Sequence, residues 1–450
     1  MNTKTRRGPD PAQKKNVTGP RAAALCSLLA LERDGRYANL EIDARLRTAD
    51  MNAADRALYT RLVYGVTERR ITLDWILAGL SSRPPEGLDP DVRGALRMGI
   101  YQLLYMDRIP EHAAVDESVR LVPKAKAGYV NAVLRSFLRA GKAWRLPEDE
   151  ELAASVRHSV PVPLLRLLKR SLSADESAAG REAELDELLC AMNREPKTAL
   201  RINTVKTDLS AAAQRTGGHS SPIAPDVLLV DSLGEEERAG LAEGLWFVED
   251  EASRIAAASV GARPGELVVD TCACPGGKSF SMALDMKNEG ELFSFDLHAN
   301  KLSLIESGAE RLGIGIIRSA ARDAREPDPA LVGRADRVLC DAPCSGLGVI
   351  AKKPDIRYKD LASAEKLPEV QKAVLEGASR YAKPGGTLVY STCTLNPAEN
   401  GDVVRAFLEE HPDFTLAPDT FLPEGMRTFW PHRDGCDGFF AARMTRSDKD

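Results

Sequence analysis

Three segments concentrate residues that could carry chemistry. The first is Asp270-Thr271-Cys272-Ala273-Cys274-Pro275-Gly276-Gly277-Lys278-Ser279, the second Asp341-Ala342-Pro343-Cys344-Ser345-Gly346-Leu347-Gly348, and the third runs from Tyr390-Ser391-Thr392-Cys393 to Glu399-Asn400. In the first, paired glycines let the backbone approach a ligand, and a following helix would point its N–H groups at a negative group such as a carboxylate. Asp296 lies at the end of the next apolar run, where an acid can accept hydrogen bonds from ribose hydroxyls; the lesser alternative for it as a lone residue is a helix N-cap. Together these point to an adenosine-bearing cofactor. In the second and third segments Cys344 and Cys393 each follow a strand-like run by three residues or fewer. A thiolate there is a nucleophile if its surroundings lower its pKa.

Other chemistries fit less well. G-x-G-x-x-G is absent. Gly277-Lys278-Ser279 looks like the end of a P-loop, but Cys272 stands where the first glycine is required and Pro275 removes a phosphate-cradling N–H. Zinc held by Cys272, Cys274, Cys344 and Cys393 is disfavoured by the tight C-x-C spacing and by histidine's near absence from these motifs, so no metal is expected. Cys26, Cys190, Cys340 and Cys436 are read as packing residues.

The elements that must position these residues follow from periodicity. From Gly261 onward, Leu267-Val268-Val269-Asp270, Phe293-Ser294-Phe295-Asp296, Val338-Leu339-Cys340-Asp341 and Leu388-Val389-Tyr390-Ser391 alternate with helix-like stretches at 277–286, 299–312 and 368–382. This predicts an α/β domain with a buried, mostly parallel sheet, whose ligands bind at the carboxyl ends of the strands. Residues 20–145 read as all-helical, with Leu58, Leu62, Val63 and Val66 on one helical face and Leu96, Ile100, Leu103 and Leu104 on another. The expected plan is a basic tail (1–19), a helical domain (20–145), a helical connector (146–197), a small α+β subdomain (198–258) and a catalytic α/β domain (259–446).

Composition narrows the class. The chain has 450 residues, too many for one ordinary core, with a net charge of −5. No apolar run is long enough to span a bilayer and no signal-like segment opens the chain, so a cytoplasmic protein with reduced thiols is expected. Positive charge is local. It gathers in Lys4, Arg6, Arg7, Lys14, Lys15 and Arg21, and again in Arg120, Lys124, Lys126, Arg135, Arg139, Lys142 and Arg145. Such patches suit phosphate contacts that weaken as salt rises. Nothing in the sequence demands more than a monomer.

The three motifs resemble those of the Sun/Fmu (Nop/Sun) RNA cytosine-C5 methyltransferases, from about Leu200 to the C-terminus. Arg201-Ile202-Asn203-Thr204-Val205-Lys206 is similar to that family's entry signature, and Asp437-Gly438-Phe439-Phe440 to its closing strand. Residues 20–145 resemble the NusB RNA-binding fold, notably Ile109-Pro110-Glu111-His112-Ala113-Ala114-Val115-Asp116-Glu117. The combination resembles the bacterial small-subunit rRNA methyltransferase B group. The resemblance implies a Rossmann-like class I domain that uses S-adenosyl-L-methionine on 16S ribosomal RNA. Cytosine C5 is unreactive until a thiolate adds to C6, which is why such chemistry needs a cysteine.

The resemblance further implies Cys393 as nucleophile, Cys344 as helper in proton removal and release, and Asp341 hydrogen-bonded to the base near N3. It implies that Cys272, Ala273, Cys274, Pro275, Gly276, Gly277 and Lys278 cradle the methionine part of the cofactor, Asp296 its ribose and Asp323 its adenine, with Asp341 beside the methyl group. On residues alone Pro343-Cys344 competes with Cys393, since DNA cytosine methyltransferases use a Pro-Cys thiol. Lys352, Lys353 and Arg357 resemble a basic loop that touches RNA, and read equally as a solvated turn. Cys274 stands where relatives carry alanine, a small change in size. A different class of function, an RNA-binding protein with a relic α/β domain, would predict decay of these residues. An RNA other than 16S rRNA, such as tRNA, is the other alternative.

Overall fold

The computed structural model describes residues 19–175 and 184–448, so the first basic cluster, Arg21 apart, lies outside the described residues. The chain divides into two units, one of residues up to Leu165 together with Lys353–Tyr358, the other of Arg166–Lys352 and the remaining C-terminal residues.

The N-terminal unit is helical: Pro20–Asp34, Ala38–Thr48, Ala53–Glu68, Arg70–Leu80, Pro90–Tyr105, Glu111–Arg120, Lys124–Arg139 and Glu150–His158. Local signals set the ends. Asn52 and Asp149 cap their helices by accepting from Asp55 N and Leu152 N, and proline opens Pro20–Asp34 and Pro90–Tyr105. One apolar core joins Leu62, Val63, Val66, Leu96 and Ile100, from the stripes that the periodicity marks, with Leu134 and Phe137. Arg97 is buried there but paired, to Asp74 at 2.6 Å and to Glu32. The second basic stretch is partly neutralised in space: Lys126 pairs with Asp89 and Asp91, Lys142 with Glu111 and Arg120 with Glu117. Acids outside the window, or just ahead of it, discharge a cluster that looks free in the sequence.

The second unit holds two sheets. The smaller contains β1 (Thr198–Ile202), β2 (His219–Ser220), β3 (Val227–Val230) and β4 (Trp246–Val248), in the order β2-β3-β1-β4 and antiparallel throughout. The larger contains β5 (Leu267–Asp270), β6 (Glu291–Asp296), β7 (Ile317–Ala321), β8 (Ala335–Asp341), β9 (Ala382–Thr392), β10 (Phe414–Leu416), β11 (Met426–Phe429) and β12 (Phe439–Arg446). Strands β7-β6-β5-β8-β9 are parallel, and β12 closes the sheet antiparallel to β9 while pairing with both β10 and β11. Chain order reverses between β5 and β8, the switch point at which a crevice opens beyond the strand ends. Asp270 and Asp341 end these two strands.

The entry signature holds the small sheet to the large one. Arg201 is buried and ion-pairs with Asp226 at 3.1 Å and Asp285 at 3.3 Å. Asn203 donates to the carbonyls of Gly244 and Leu312, each at 2.8 Å. Its role is scaffolding, ahead of the site. Among the described residues no helix is long and apolar enough to cross a membrane.

Candidate active site

The cofactor loop is stitched at both sides. After β5, Thr271 N donates to Leu339 O at 3.0 Å on the β8 side, and Ala273 N to Phe295 O at 2.8 Å on the β6 side. Gly276 adopts φ +114°, where a Cβ would sit 2.5 Å from the Phe280 ring. Glycine is therefore required, and Gly277–Asp285 follows as a helix whose first-turn N–H groups have no intrahelical acceptor. Cys272 is half-buried, and burial pushes its thiol well above the ordinary range, with Cys340, Asp270 and Asp341 adding to it. Cys274 faces the Lys301 carbonyl at 3.6 Å and is also shifted up by burial. Both shifts disfavour the thiolate form.

Two buried carboxyls flank the loop. Asp270 accepts from Ser279 Oγ at 2.7 Å, while its Oδ1 is buried without a partner. Glu249 accepts from Ser281 Oγ, and its Oε1 is likewise unpartnered, near the position a Gly277 side chain would occupy. Burial pushes both groups up to about 7. Unsatisfied acceptors beside open backbone donors fit a zwitterionic ligand end, whose ammonium and carboxylate need both.

Asp296 ends β6 and accepts from His298 N at 2.9 Å. It makes a local turn there and does not cap the 3-10 turn Ala299–Lys301, so the N-cap reading fails. Leu297 beside it is 60% exposed, an apolar face suited to a planar ring. Asp323, after β7, accepts from Arg325 N at 3.0 Å and pairs with the Arg325 guanidinium, which holds its carboxyl below the usual range.

On the other side of the switch point Asp341 is bound twice. Lys278 Nζ donates to Oδ2 and Ser391 Oγ to Oδ1, both at 2.7 Å. Burial alone would depress the Lys278 ammonium, but Asp341 outweighs it and pushes the group up to about 12. Cys344 and Cys393, distant in sequence, bring their sulfurs to 3.2 Å. The bond to Cys393 and then burial push the Cys344 thiol well above its ordinary range. Either sulfur can donate to the other, and Cys393 lies within the field of the Lys278 ammonium. Gly348 N donates to Cys393 O at 3.0 Å, and Gly348 lies so close to Gly438 that a side chain on it would collide with the Gly438 carbonyl.

The structure thus gathers Asp341, Lys278, Cys344 and Cys393, with Ser391, and leaves Asp296 and Asp323 at neighbouring strand ends. It corrects two readings. Lys352 is an internal tether, paired with Asp250 at 2.7 Å and Asp437 at 2.8 Å, and Arg357 is 1% exposed with its guanidinium on the carbonyls of Glu68, His158 and Ser159. Neither offers its charge to an RNA, because both heads are consumed by buried acceptors. Cys190 is exposed on helix Glu184–Ala191, so packing does not account for it, whereas Cys340 and Cys436 are buried. Lys278 as partner of Asp341, Glu249, Gln371 and Glu399 were given no such part from sequence. Lys278 and Glu399 had a signal, their places inside the first and third motifs.

Known proteins resemble this chain along nearly its whole length. The model "16S rRNA methyltransferase RsmB/F" matches residues 257–445, and the NusB family model matches residues 18–139. A Bacillus subtilis (strain 168) protein named "Probable ribosomal RNA small subunit methyltransferase B" is 35% identical, covering 95% of this chain and 99% of its own length. Ribosomal RNA small subunit methyltransferase B of Vibrio cholerae is 32% identical over 87% of this chain and 90% of that protein. The crystal structure of PH0851 aligns with a TM-score of 0.77 at 26% identity, covering 96% of this chain and 100% of that one. With relatives this similar along nearly its whole length, the chain belongs to the ribosomal RNA small subunit methyltransferase B family, enzymes that use S-adenosylmethionine.

Proposed function

We propose that this enzyme methylates carbon 5 of a cytosine in 16S rRNA through a covalent adduct between Cys393 and cytosine C6. The observation that carries the reading is the pair of sulfurs 3.2 Å apart beside the Asp341–Lys278 ion pair. The Cys393 thiolate adds to C6, forming the S–C6 bond and moving the C5=C6 π pair toward C5. Asp341, fixed by Lys278 and Ser391, accepts a hydrogen bond from the base's exocyclic amino group, beside N3, and holds the adduct in register. S-adenosylmethionine supplies the electrophilic methyl group that C5 takes up. Loss of the C5 proton then returns the pair to C5=C6 and expels Cys393, and Cys344 is placed to assist both events. The Lys278 ammonium, near enough to Cys393 to act on its charge, favours Cys393 as the nucleophile over the Pro343-Cys344 alternative.

Cys272 to Lys278 would hold the methionine part of the cofactor, with Asp270 and Glu249 supplying acceptors, Asp296 the ribose contact, and Leu297 and Asp323 the adenine surroundings. Because a stacked base is out of reach, the target sits in a loop or is flipped out. The test compares wild type, Cys393→Ala and Cys344→Ala on unmodified 16S rRNA with methyl-labelled S-adenosylmethionine. Wild type should form 5-methylcytosine, Cys393→Ala should form none, and Cys344→Ala should accumulate a denaturation-resistant protein–RNA adduct. Exchange of the two mutant behaviours would reverse the thiol assignment.

A further inference from the structure

Neither cysteine is rigid by virtue of its own backbone, because both lie in loops beyond strand ends. What fixes their separation is a buried cluster to which the reaction assigns no part. Glu399 is 0% exposed and its carboxylate accepts three hydrogen bonds: from Ser345 N at 2.8 Å, from Gln371 Nε2 at 3.0 Å and from Asn396 Nδ2 at 3.0 Å. Gln371, also fully buried, uses the same Nε2 to reach Pro343 O at 2.9 Å. The two residues flanking Cys344 are therefore both tied, directly or through Gln371, to Glu399.

The next residue does the same for the other thiol. Asn400 accepts from Thr392 Oγ1 at 2.5 Å and donates to Thr394 O at 2.9 Å, the two neighbours of Cys393. Ser345 Oγ and Thr394 Oγ1 close the bracket at 2.7 Å. One dipeptide thus grips both cysteine loops from behind. Tyr390 OH, on β9, fixes that dipeptide by donating to Glu399 O at 2.7 Å.

We propose that Glu399 is a positioning residue that sets the distance between the two thiols, holding Cys344 through its flanking backbone while Asn400 holds Cys393. This rests on the roles proposed for the two cysteines. A carboxylate with no proton of its own suits the task, since all three of its partners are N–H donors. Glutamine in its place must turn one N–H toward a donor, which releases either the Ser345–Gln371 side or Asn396. Asn396 caps Ala398 N through Oδ1 at 3.3 Å, a bond that aspartate would keep while accepting from the new amide.

The consequence is selective. Loosening Cys344 should slow breakdown of the adduct more than its formation, because Cys344 acts after Cys393 has bonded. Glu399→Gln should lower kcat about tenfold or more, as expected for misplacement of a reacting group. It should accumulate adduct as Cys344→Ala does, and leave the KM for rRNA and the Kd for S-adenosylmethionine unchanged. Glu399→Gln combined with Asn396→Asp, which regains both the pairing and the charge, should recover turnover. Wild-type turnover in Glu399→Gln, or no recovery in the double variant, overturns the proposal. So does equal loss of cofactor affinity, which would mark Glu399 as a fold residue.

A measurement without RNA separates this from the proposed reaction. Diamide takes up the two thiol hydrogens as it forms a disulfide, and the Cys344–Cys393 cross-link is read by peptide mass spectrometry. Glu399→Gln should cross-link several-fold more slowly than wild type, and an equal rate overturns the positioning role. Slower cross-linking in a protein that makes no 5-methylcytosine would keep the positioning role and remove the cytosine chemistry.

Discussion

The two sides of the strand-end rim are built differently. On the side of β5, β6 and β7 the acids stand in short turns, satisfied by local backbone or by a neighbour two residues away, as Asp296 is by His298 and Asp323 by Arg325. Asp270 and Glu249 keep an unpartnered oxygen there. On the side of β8 and β9 most polar groups are already bound: Asp341 by Lys278 and Ser391, and the cysteine loops by Glu399, Gln371 and Asn400. The first side leaves capacity for a ligand that arrives and departs each turnover. The second is fixed before substrate arrives, as the proposed covalent chemistry requires, since reacting atoms misplaced by an ångström lose most of their advantage.

The contrast makes graded predictions. The largest effect belongs to the rigid side: Cys393→Ala should lower methyl transfer at least about a thousandfold while cofactor titration stays at wild-type affinity. A matching loss of affinity would erase the distinction between the sides. Next is Lys278→Met, which strands the Asp341 carboxylate with one neutral donor. Urea unfolding should report a loss of about 3 kcal/mol.

On the open side Asp296→Ala should weaken S-adenosylmethionine binding about 10- to 100-fold by calorimetry, with kcat at saturation nearly unchanged. A fall in kcat with binding intact would move Asp296 into the catalytic group. The smallest effect is a pH slope. Asp270 and Glu249 have folded pKa values near 7, above their ordinary values, so the folded state binds the extra protons. Their contribution to stability is complete below the ordinary carboxylate range and is lost as pH rises toward about 7. The ligand-free melting temperature should decline across that window, and Asp270→Asn and Glu249→Gln should each flatten the decline.

Much of the candidate site was legible because three of the strands end in a candidate residue. Asp270, Asp296 and Asp341 stand at the last positions of β5, β6 and β8, and period and polarity alone mark them. Partnership was not legible. Lys278 reads as part of a cofactor loop, yet its ammonium crosses to the end of β8. Gln371 sits on helix Leu367–Ser379 with no motif around it, and becomes important only because that helix passes behind Pro343. Lys352 and Arg357 look like free cations in a linear reading, and each is consumed by acceptors from elsewhere in the chain.

The sequence by itself determined which residue types can do chemistry here, which strand carries each, and that an all-helical part precedes an α/β part. Those features depend on local period, on proline and glycine, and on the residue following an apolar run. The tertiary structure alone decided which of the candidate thiols meet, which ammonium lies beside them, and which charges stay available. Those outcomes depend on burial and on distances between groups far apart in the chain, and linear order holds no measure of either.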